Sequence, residues 1–319
     1  MGIAPYLAEA IIREHRFRPI TGDVLLLGRQ TMQFSPEDAA AMIRAEGLVP
    51  APLAPDDDLL DRRTVAAHGK RYIRDDAFFR LLGVERVRAL DHTGYEGAEL
   101  IHDLNRPIPD NLAEIADFML DGSTLDNLFS PAMGLQNMTR LLRPGGRFLS
   151  VNSGTAHTSS YAIPTAYWFL DYCAANMFDD CRVYLVVHHR HQRSVYAVDP
   201  LDREGPALVT SRVLAVVAFA EKGEMTSWDR NPTQRQYAEP QMVNDYIAQG
   251  RRFSGSNRPD LIRSVGPPVL IPSVRAWIED HTRTWWHSAA RFDRIHSDGH
   301  KSRSAVAAAA VRLLKRITS

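Results

Sequence analysis

Three aspartates close short apolar runs in the first half of the chain. Asp91 follows Val87-Arg88-Ala89-Leu90, Asp103 follows Ala98-Glu99-Leu100-Ile101-His102, and Asp121 follows Ala116-Asp117-Phe118-Met119-Leu120. An ionised carboxylate only accepts hydrogen bonds. At the end of a strand it suits the two hydroxyls of a ribose or the amino group of an adenine, so three in series point to a nucleoside-containing ligand. Any one of them is as readily a turn or helix cap; the series favours the ligand. Other reactive types are less well placed. His188-His189-Arg190-His191 invites a metal, but neighbours on a strand alternate faces, so a turn between edge strands is the better reading. His296 and His300 lack the glutamate and third ligand of a metallopeptidase. Cys173 and Cys181 form no CxxC and read as small apolar packing residues, and Ser153-Gly154 lacks the two-glycine bracket of a nucleophile elbow. No metal site is expected.

The aspartates need a frame that delivers strand ends to one edge. Asp23-Val24-Leu25-Leu26-Leu27-Gly28 is an apolar strand stopping at glycine, and Ser35-Pro36 is an N-cap with proline in the first helical position. A helix precedes this unit, with Leu7, Ala10 and Ile11 at helical spacing. Strands follow at 87–91, 98–103 and 116–121, then a helix over 131–142 and a strand over 147–151. Alternating strands and helices give a parallel sheet. Helix is expected over 164–177, strands over 182–188, 194–198 and 212–220 with an antiparallel edge, and helix within 64–82 and 242–248. In open sheets of this kind ligands sit beyond the carboxyl ends of the strands, where all three aspartates fall.

The segments Leu90-Asp91, Tyr95-Glu96-Gly97-Ala98, His102-Asp103-Leu104-Asn105, Asp121-Gly122-Ser123-Thr124-Leu125-Asp126-Asn127 and, most recognisably, Leu141-Leu142-Arg143-Pro144-Gly145-Gly146-Arg147 resemble class I S-adenosylmethionine-dependent methyltransferases. The resemblance covers about residues 20 to 220. It implies an α/β fold, a doubly wound, Rossmann-like seven-stranded sheet with an antiparallel edge strand, and S-adenosylmethionine above the first, second and fourth strands. By position it assigns Gly28 to the methionine and ribose loop, Asp91 to the ribose hydroxyls, Asp103 and Leu104 to the adenine, and Asp121 and Gly122 to the wall beside the methyl donor. The chain departs from the pattern in the loop Gly28-Arg29-Gln30-Thr31-Met32, where one of three alternating glycines remains. Arg29 and Gln30 are read as replacements, gripping the cofactor's carboxylate through a guanidinium and an amide. The other reading is a non-catalytic partner or scaffold protein of the same fold. Methyl transfer to oxygen needs a hydroxyl proton removed, and His157, after the fifth strand, is the candidate base; Asp126 and Asn127 are second candidates, for orienting the acceptor. The Asp-Leu-Asn and Asp-Gly-Ser-Thr-Leu wording is similar to members that modify sugars and surface polysaccharides, so the expected reaction is O-methylation of a carbohydrate or small-molecule hydroxyl.

Composition sets the outer bounds. The 319 residues are 45% hydrophobic and 24% charged, ordinary for a folded chain. Lys plus Arg and Asp plus Glu each total 38, which argues against wholesale binding of nucleic acid. Two cysteines without a secretory leader point to a reducing, cytoplasmic setting. The expected organisation is a methyltransferase-like domain over 1–220, with a helical insertion over 48–83, and a C-terminal helical extension over 221–319. That extension ends in a basic stretch from Arg283 with Trp277, Trp285 and Trp286 nearby. It suits either contact with an anionic surface or tryptophans packed onto the domain.

Overall fold

The computed structural model describes residues 2–54, 58–155, 160–188, 193–201, 212–235 and 237–265. Its chain divides into a unit of Met1–Leu208 with Arg212–Pro268 and a second of Val209–Ser211 with Val269–Ser319. The described residues belong to the first. His157, the histidines after His188, His296, His300 and the basic, tryptophan-bearing stretch lie outside them.

One eight-stranded sheet carries the fold: β1 (Asp23–Leu27), β2 (Arg86–Asp91), β3 (Leu100–Ile101), β4 (Ala116–Gly122), β5 (Leu142–Ser153), β6 (Asp180–His188), β7 (Arg193–Ala197) and β8 (Leu214–Glu221), in the order β3-β2-β1-β4-β5-β8-β6-β7. The first five are mutually parallel. β8 runs antiparallel between β5 and β6, and β7 antiparallel to β6 at the edge. The resemblance implies seven strands; the described residues form eight, the number that the run-by-run reading gives. The added strand is β7, which turns back from β6 and covers what would otherwise be a long exposed edge.

Both faces are covered. Val24, Leu26, Phe118 and Leu120 face a layer built from α1 (Pro5–Phe17), α2 (Pro36–Ala45) and α3 (Asp75–Leu81). Leu25, Leu27 and Met119 face α4 (Pro131–Leu141), α5 (Ala166–Ala175) and α6 (Pro240–Ser254). Burial on both faces explains why β1 reads as an unbroken apolar run. Cys173 and Cys181 pack as free, buried thiols in the second layer. Residues of the expected extension also belong here: Tyr246 and Phe253 of α6 join the second layer, and Leu261 and Ile262 the first. No helix among the described residues is long and apolar enough to cross a membrane.

Local chemistry sets the boundaries. Ser35 and Asp38 form a reciprocal capping box at the start of α2, each side chain accepting from the other's amide at 3.1 Å. The insertion is only partly helical. Thr64 is held by Asp61 in a side-chain turn, and Ile73 pairs in extended form with Leu60 and donates to Phe34. That pairing leaves one 3-10 turn at Val65–Ala67 and the two-turn α3. Gly83, at φ +81°, ends α3 in a Schellman motif: its amide donates to Arg80 and that of Val84 to Phe79. The Arg143-Pro144-Gly145-Gly146 segment bulges within β5, shifting its register on β4 between Ala116 and Phe118.

Candidate functional site

The strand order reverses between β1 and β4, because the chain leaves β1 for β2 and β3 on one side and returns to β4 and β5 on the other. Loops at the carboxyl ends part there, and a ligand crevice opens at such a point. Gly28 leaves β1 at φ +70°, a left-handed conformation suited to glycine, with its amide donating to Leu90 O at 2.8 Å. A Cβ there would stand 3.2 Å from Asp91 Oδ2 and 3.8 Å from Thr124 Oγ1. The ends of β1 and β2 and the turn after β4 thus meet around one glycine. Asp91 is half-buried, and among the described residues the hydrogen bond its carboxylate receives is from Thr93 N, at 3.4 Å.

The turn after β3 is fixed from beneath. Asp103 Oδ1 accepts from Asn105 N and Nδ2 at 3.0 and 2.9 Å, and these bonds hold its carboxyl below the usual range. Leu104 is buried, with its carbonyl accepting from Asn137 Nδ2. Asn137, on the buried face of α4, also accepts from Ile108 N and donates to Arg106 O. Sequence reading missed it; its signal is an amide among the apolar positions of that helix.

Arg29 and Gln30 take unexpected orientations. The Arg29 side chain is buried, donating to Gly97 O at 2.9 Å and pairing with Glu99 and Asp75. These three partners engage it within the protein. Asp75, the first residue of α3, also accepts from Gln30 N at 3.0 Å and Arg63 at 2.6 Å, with burial pushing its carboxyl up. Gln30 Nε2 donates to Leu27 O at 2.7 Å and Gly28 O at 3.2 Å, which fixes the amide's orientation. Its Oε1 is buried and, among the described residues, lacks a hydrogen bond. This oxygen lies over Gly122, where an added Cβ would collide with it.

Asp121 is fully buried rather than at the mouth. β4 runs one residue beyond it, and strand alternation turns its side chain beneath the sheet with Met119. Its carboxylate accepts from Ser150 Oγ at 2.5 Å and Thr124 N at 2.7 Å, and burial pushes its pKa up to about 6. The folded chain therefore holds a proton there that the unfolded chain releases near pH 4. This group's contribution to stability, about 3 kcal/mol in all, falls by about 2 kcal/mol as pH rises from 4 to 6. Urea unfolding across that range is expected to show a smaller decline in Asp121→Asn than in the wild type, the remainder coming from other buried carboxyls pushed up in the same direction, Asp75 among them.

Asp126 is also fully buried. It accepts from Ser123 Oγ, Ser153 N at 2.7 Å and Ser160 Oγ at 3.3 Å, while its backbone amide donates to Asn152 Oδ1 and its carbonyl accepts from Ala162 N. It fastens the loop after β4 to the loop after β5 and presents no free carboxylate to an acceptor. Asn127 is exposed and donates to Ser123 O. Ser123 itself is left-handed, at φ +75°.

The site thus brings Gly28, Gln30, Asp91 and Gly122 together, and sets Asp103 and Leu104 on the neighbouring turn. Among the described residues no group of His, Cys, Asp and Glu has the arrangement to hold a metal.

No protein-family model matches the chain, and no curated protein matches it. Solved structures do. One is the 1,6-didemethyltoxoflavin-N1-methyltransferase of Burkholderia thailandensis, bound to S-adenosylhomocysteine, at 16% identity over 68% of this chain and 77% of that one, with TM-score 0.29. Another is an S-adenosylmethionine-dependent methyltransferase of Thermotoga maritima, at 13% identity over 68% and 88%, with TM-score 0.33. A third is an S-adenosylmethionine-dependent methyltransferase of Clostridium acetobutylicum, at 9% identity over 77% and 79%, with TM-score 0.25. At these scores the likeness carries no functional argument.

Proposed function

We propose that the chain is an S-adenosylmethionine-dependent methyltransferase acting on a hydroxyl oxygen of a small molecule. The observation that carries this reading is Asp91, a half-buried carboxylate at the end of β2 beside the left-handed Gly28, where the strand order reverses. A ribose diol fits such a carboxylate. With the ribose there, an adenine extends toward the Asp103 and Leu104 turn after β3, and the substituent at the ribose 5′ carbon extends toward β1 and β4. Gln30 waits on that side with an unpartnered acceptor oxygen. Since its Nε2 hydrogens are engaged by Leu27 and Gly28, Gln30 suits the cofactor's ammonium group rather than its carboxylate, and Arg29 is committed to Asp75, Gly97 and Glu99.

When bound, the cofactor supplies an electrophilic methyl group on a sulfonium. The chain's part is to hold the acceptor oxygen in line with that carbon and keep water out. Asp126 ties the loop after β4 to the loop after β5, and Asp121 holds the turn at Thr124 against β5 through Ser150. His157, on the loop after β5, is proposed as the base that takes the hydroxyl proton as the oxygen–carbon bond forms. The alternative, a non-catalytic protein of the same fold, draws on Gln30 and the fully buried Met32 filling positions that glycines would leave open. Calorimetry with S-adenosylmethionine and S-adenosylhomocysteine separates the two. Saturable one-to-one binding is expected; no binding at millimolar ligand overturns the enzyme reading.

A further inference from the structure

Aromatic side chains gain nothing for folding when they stand in water, so where a fold leaves them exposed is informative. Among the described residues, the three most exposed aromatics are Phe129 at 84%, Tyr95 at 80% and Tyr161 at 75%. All three stand on loops beyond the carboxyl ends of strands: Tyr95 after β2, Phe129 after β4 and Tyr161 after β5. The opposite edge shows no such concentration; Phe17, which stands there, is 38% exposed.

Phe129 and Tyr161 act together. Their rings meet edge to face, with centroids 6.1 Å apart and planes at 77°, and Ile163, 44% exposed, follows on the same loop. The backbone beneath is anchored on three sides. Ser160 Oγ and Ala162 N, flanking Tyr161, both donate to Asp126, and Ser130 N, next to Phe129, donates to Asn105 Oδ1 on the turn that carries Asp103 and Leu104. The pair is therefore an anchored apolar surface at the same carboxyl edge as the crevice of the proposed cofactor.

Among the described residues the polar groups around it favour a ring over a sugar. A polyhydroxylated ligand needs several free donors and acceptors, and most of those described are engaged with one another, the buried Thr155 Oγ1 being the exception. Asp126 is filled by Ser123, Ser153 and Ser160. Asn152 joins Ser150 to the Asp126 amide, and the Asn127 amide is held by Ser123 O.

We infer that Phe129 and Tyr161 form the acceptor platform, and that the acceptor is an aryl alcohol, a hydroxyl carried on a flat aromatic or heteroaromatic ring. This rests on the proposed methyltransferase reading and names its substrate class. Offset or edge-on packing of such a ring against the pair holds the acceptor without hydrogen bonds beyond the reacting hydroxyl.

The test uses the full chain with S-adenosylhomocysteine present, 2-naphthol and methyl β-glucopyranoside as probes, and saturation-transfer NMR titration as the readout. Naphthol is expected to bind and the glucoside not. Phe129→Ala and Tyr161→Ala should each weaken naphthol by about three- to tenfold, with S-adenosylhomocysteine affinity unchanged. Phe17→Ala, an aromatic at the opposite edge beside Arg18, Asp180 and Glu221, should match the wild type. Unchanged naphthol binding in both platform variants, or preference for the glucoside, overturns the proposal. So does a loss of S-adenosylhomocysteine affinity in Phe129→Ala, which would give the platform to the nucleoside. Sedimentation showing that Phe129→Ala splits a dimer would give it to a second copy of the chain and overturn the proposal as well. Failure of the wild type to bind S-adenosylhomocysteine would sink the cofactor reading and this assignment with it, whereas cofactor binding with indifferent platform variants sinks the platform alone.

Discussion

Replacing Asp91 by alanine is expected to weaken S-adenosylhomocysteine binding by about 10- to 100-fold while leaving the unfolding of the unliganded chain almost unchanged. Hydrogen bonds to a charged group contribute about 1.5–3 kcal/mol each, and every 1.4 kcal/mol is about tenfold in affinity. The carboxylate is the natural acceptor for two ribose hydroxyls, so the loss should reach that range even if one bond is partly replaced by water. Stability should hardly move, because the side chain is half-buried and receives one long bond, from Thr93 N. The register of β2 does not depend on it: the backbone carbonyl of Asp91, not its side chain, accepts from His102 N. Asp91→Asn, which keeps the shape and one acceptor, should fall between the two. Calorimetric affinity unchanged in Asp91→Ala would remove this residue from the cofactor site and with it the observation on which the proposed function rests.

How much of this could be read from the chain depends on whether a residue's role is set locally. The apolar run 24–27 and the Ser35-Pro36 cap are local signals, and β1 and α2 form where those signals place them. Asp91 closes β2 as its run implies, but the strand expected over 98–103 is only Leu100–Ile101, so Asp103 lies past its end, on the turn it forms with Asn105. Asp121 is different. It shares parity with Met119, which faces α4 and α5, so one further residue of strand carries it under the sheet instead of to the rim. The insertion fails as a continuous helix for a non-local reason, the pairing of Ile73 with Leu60 and Phe34. Arg29 is the plainest case: its type suits a carboxylate ligand, but Asp75, far along the chain at the start of α3, claims it from within. The engagement of Gln30 Nε2 by the carbonyls of Leu27 and Gly28 depends on a rotamer that spacing does not reveal.

The largest loss of stability is expected from Arg258→Met, at about 3–5 kcal/mol. At the amino edge of the sheet, the Arg258 guanidinium lies among three carboxylates from three elements. It pairs with Glu14 of α1, donates to Asp180 of β6 at 2.9 Å and to Glu221 of β8 at 2.6 Å, and stacks 4.2 Å over Phe219. Glu14 pairs in turn with Arg147 of β5, and Glu221 with Arg18. Glu14, Arg147 and Arg258 are all buried, so water cannot take over for a missing partner. Methionine fills much of the arginine's volume and keeps contact with Phe219, but it leaves three acids facing one another without the cation they share. The segment that carries Arg258, which brings Leu261 and Ile262 into the first layer, would also lose its anchor. Arg258→Lys should recover only part of the loss, since one ammonium cannot reach three carboxylates in the guanidinium's fork geometry. Pairing Arg258→Met with Glu14→Gln should cost less than the two changes separately, because removing both ends of a buried pair leaves one fewer uncompensated charge. Urea midpoints for the single and double variants measure this directly, and additive losses would show that the six groups do not act as one network.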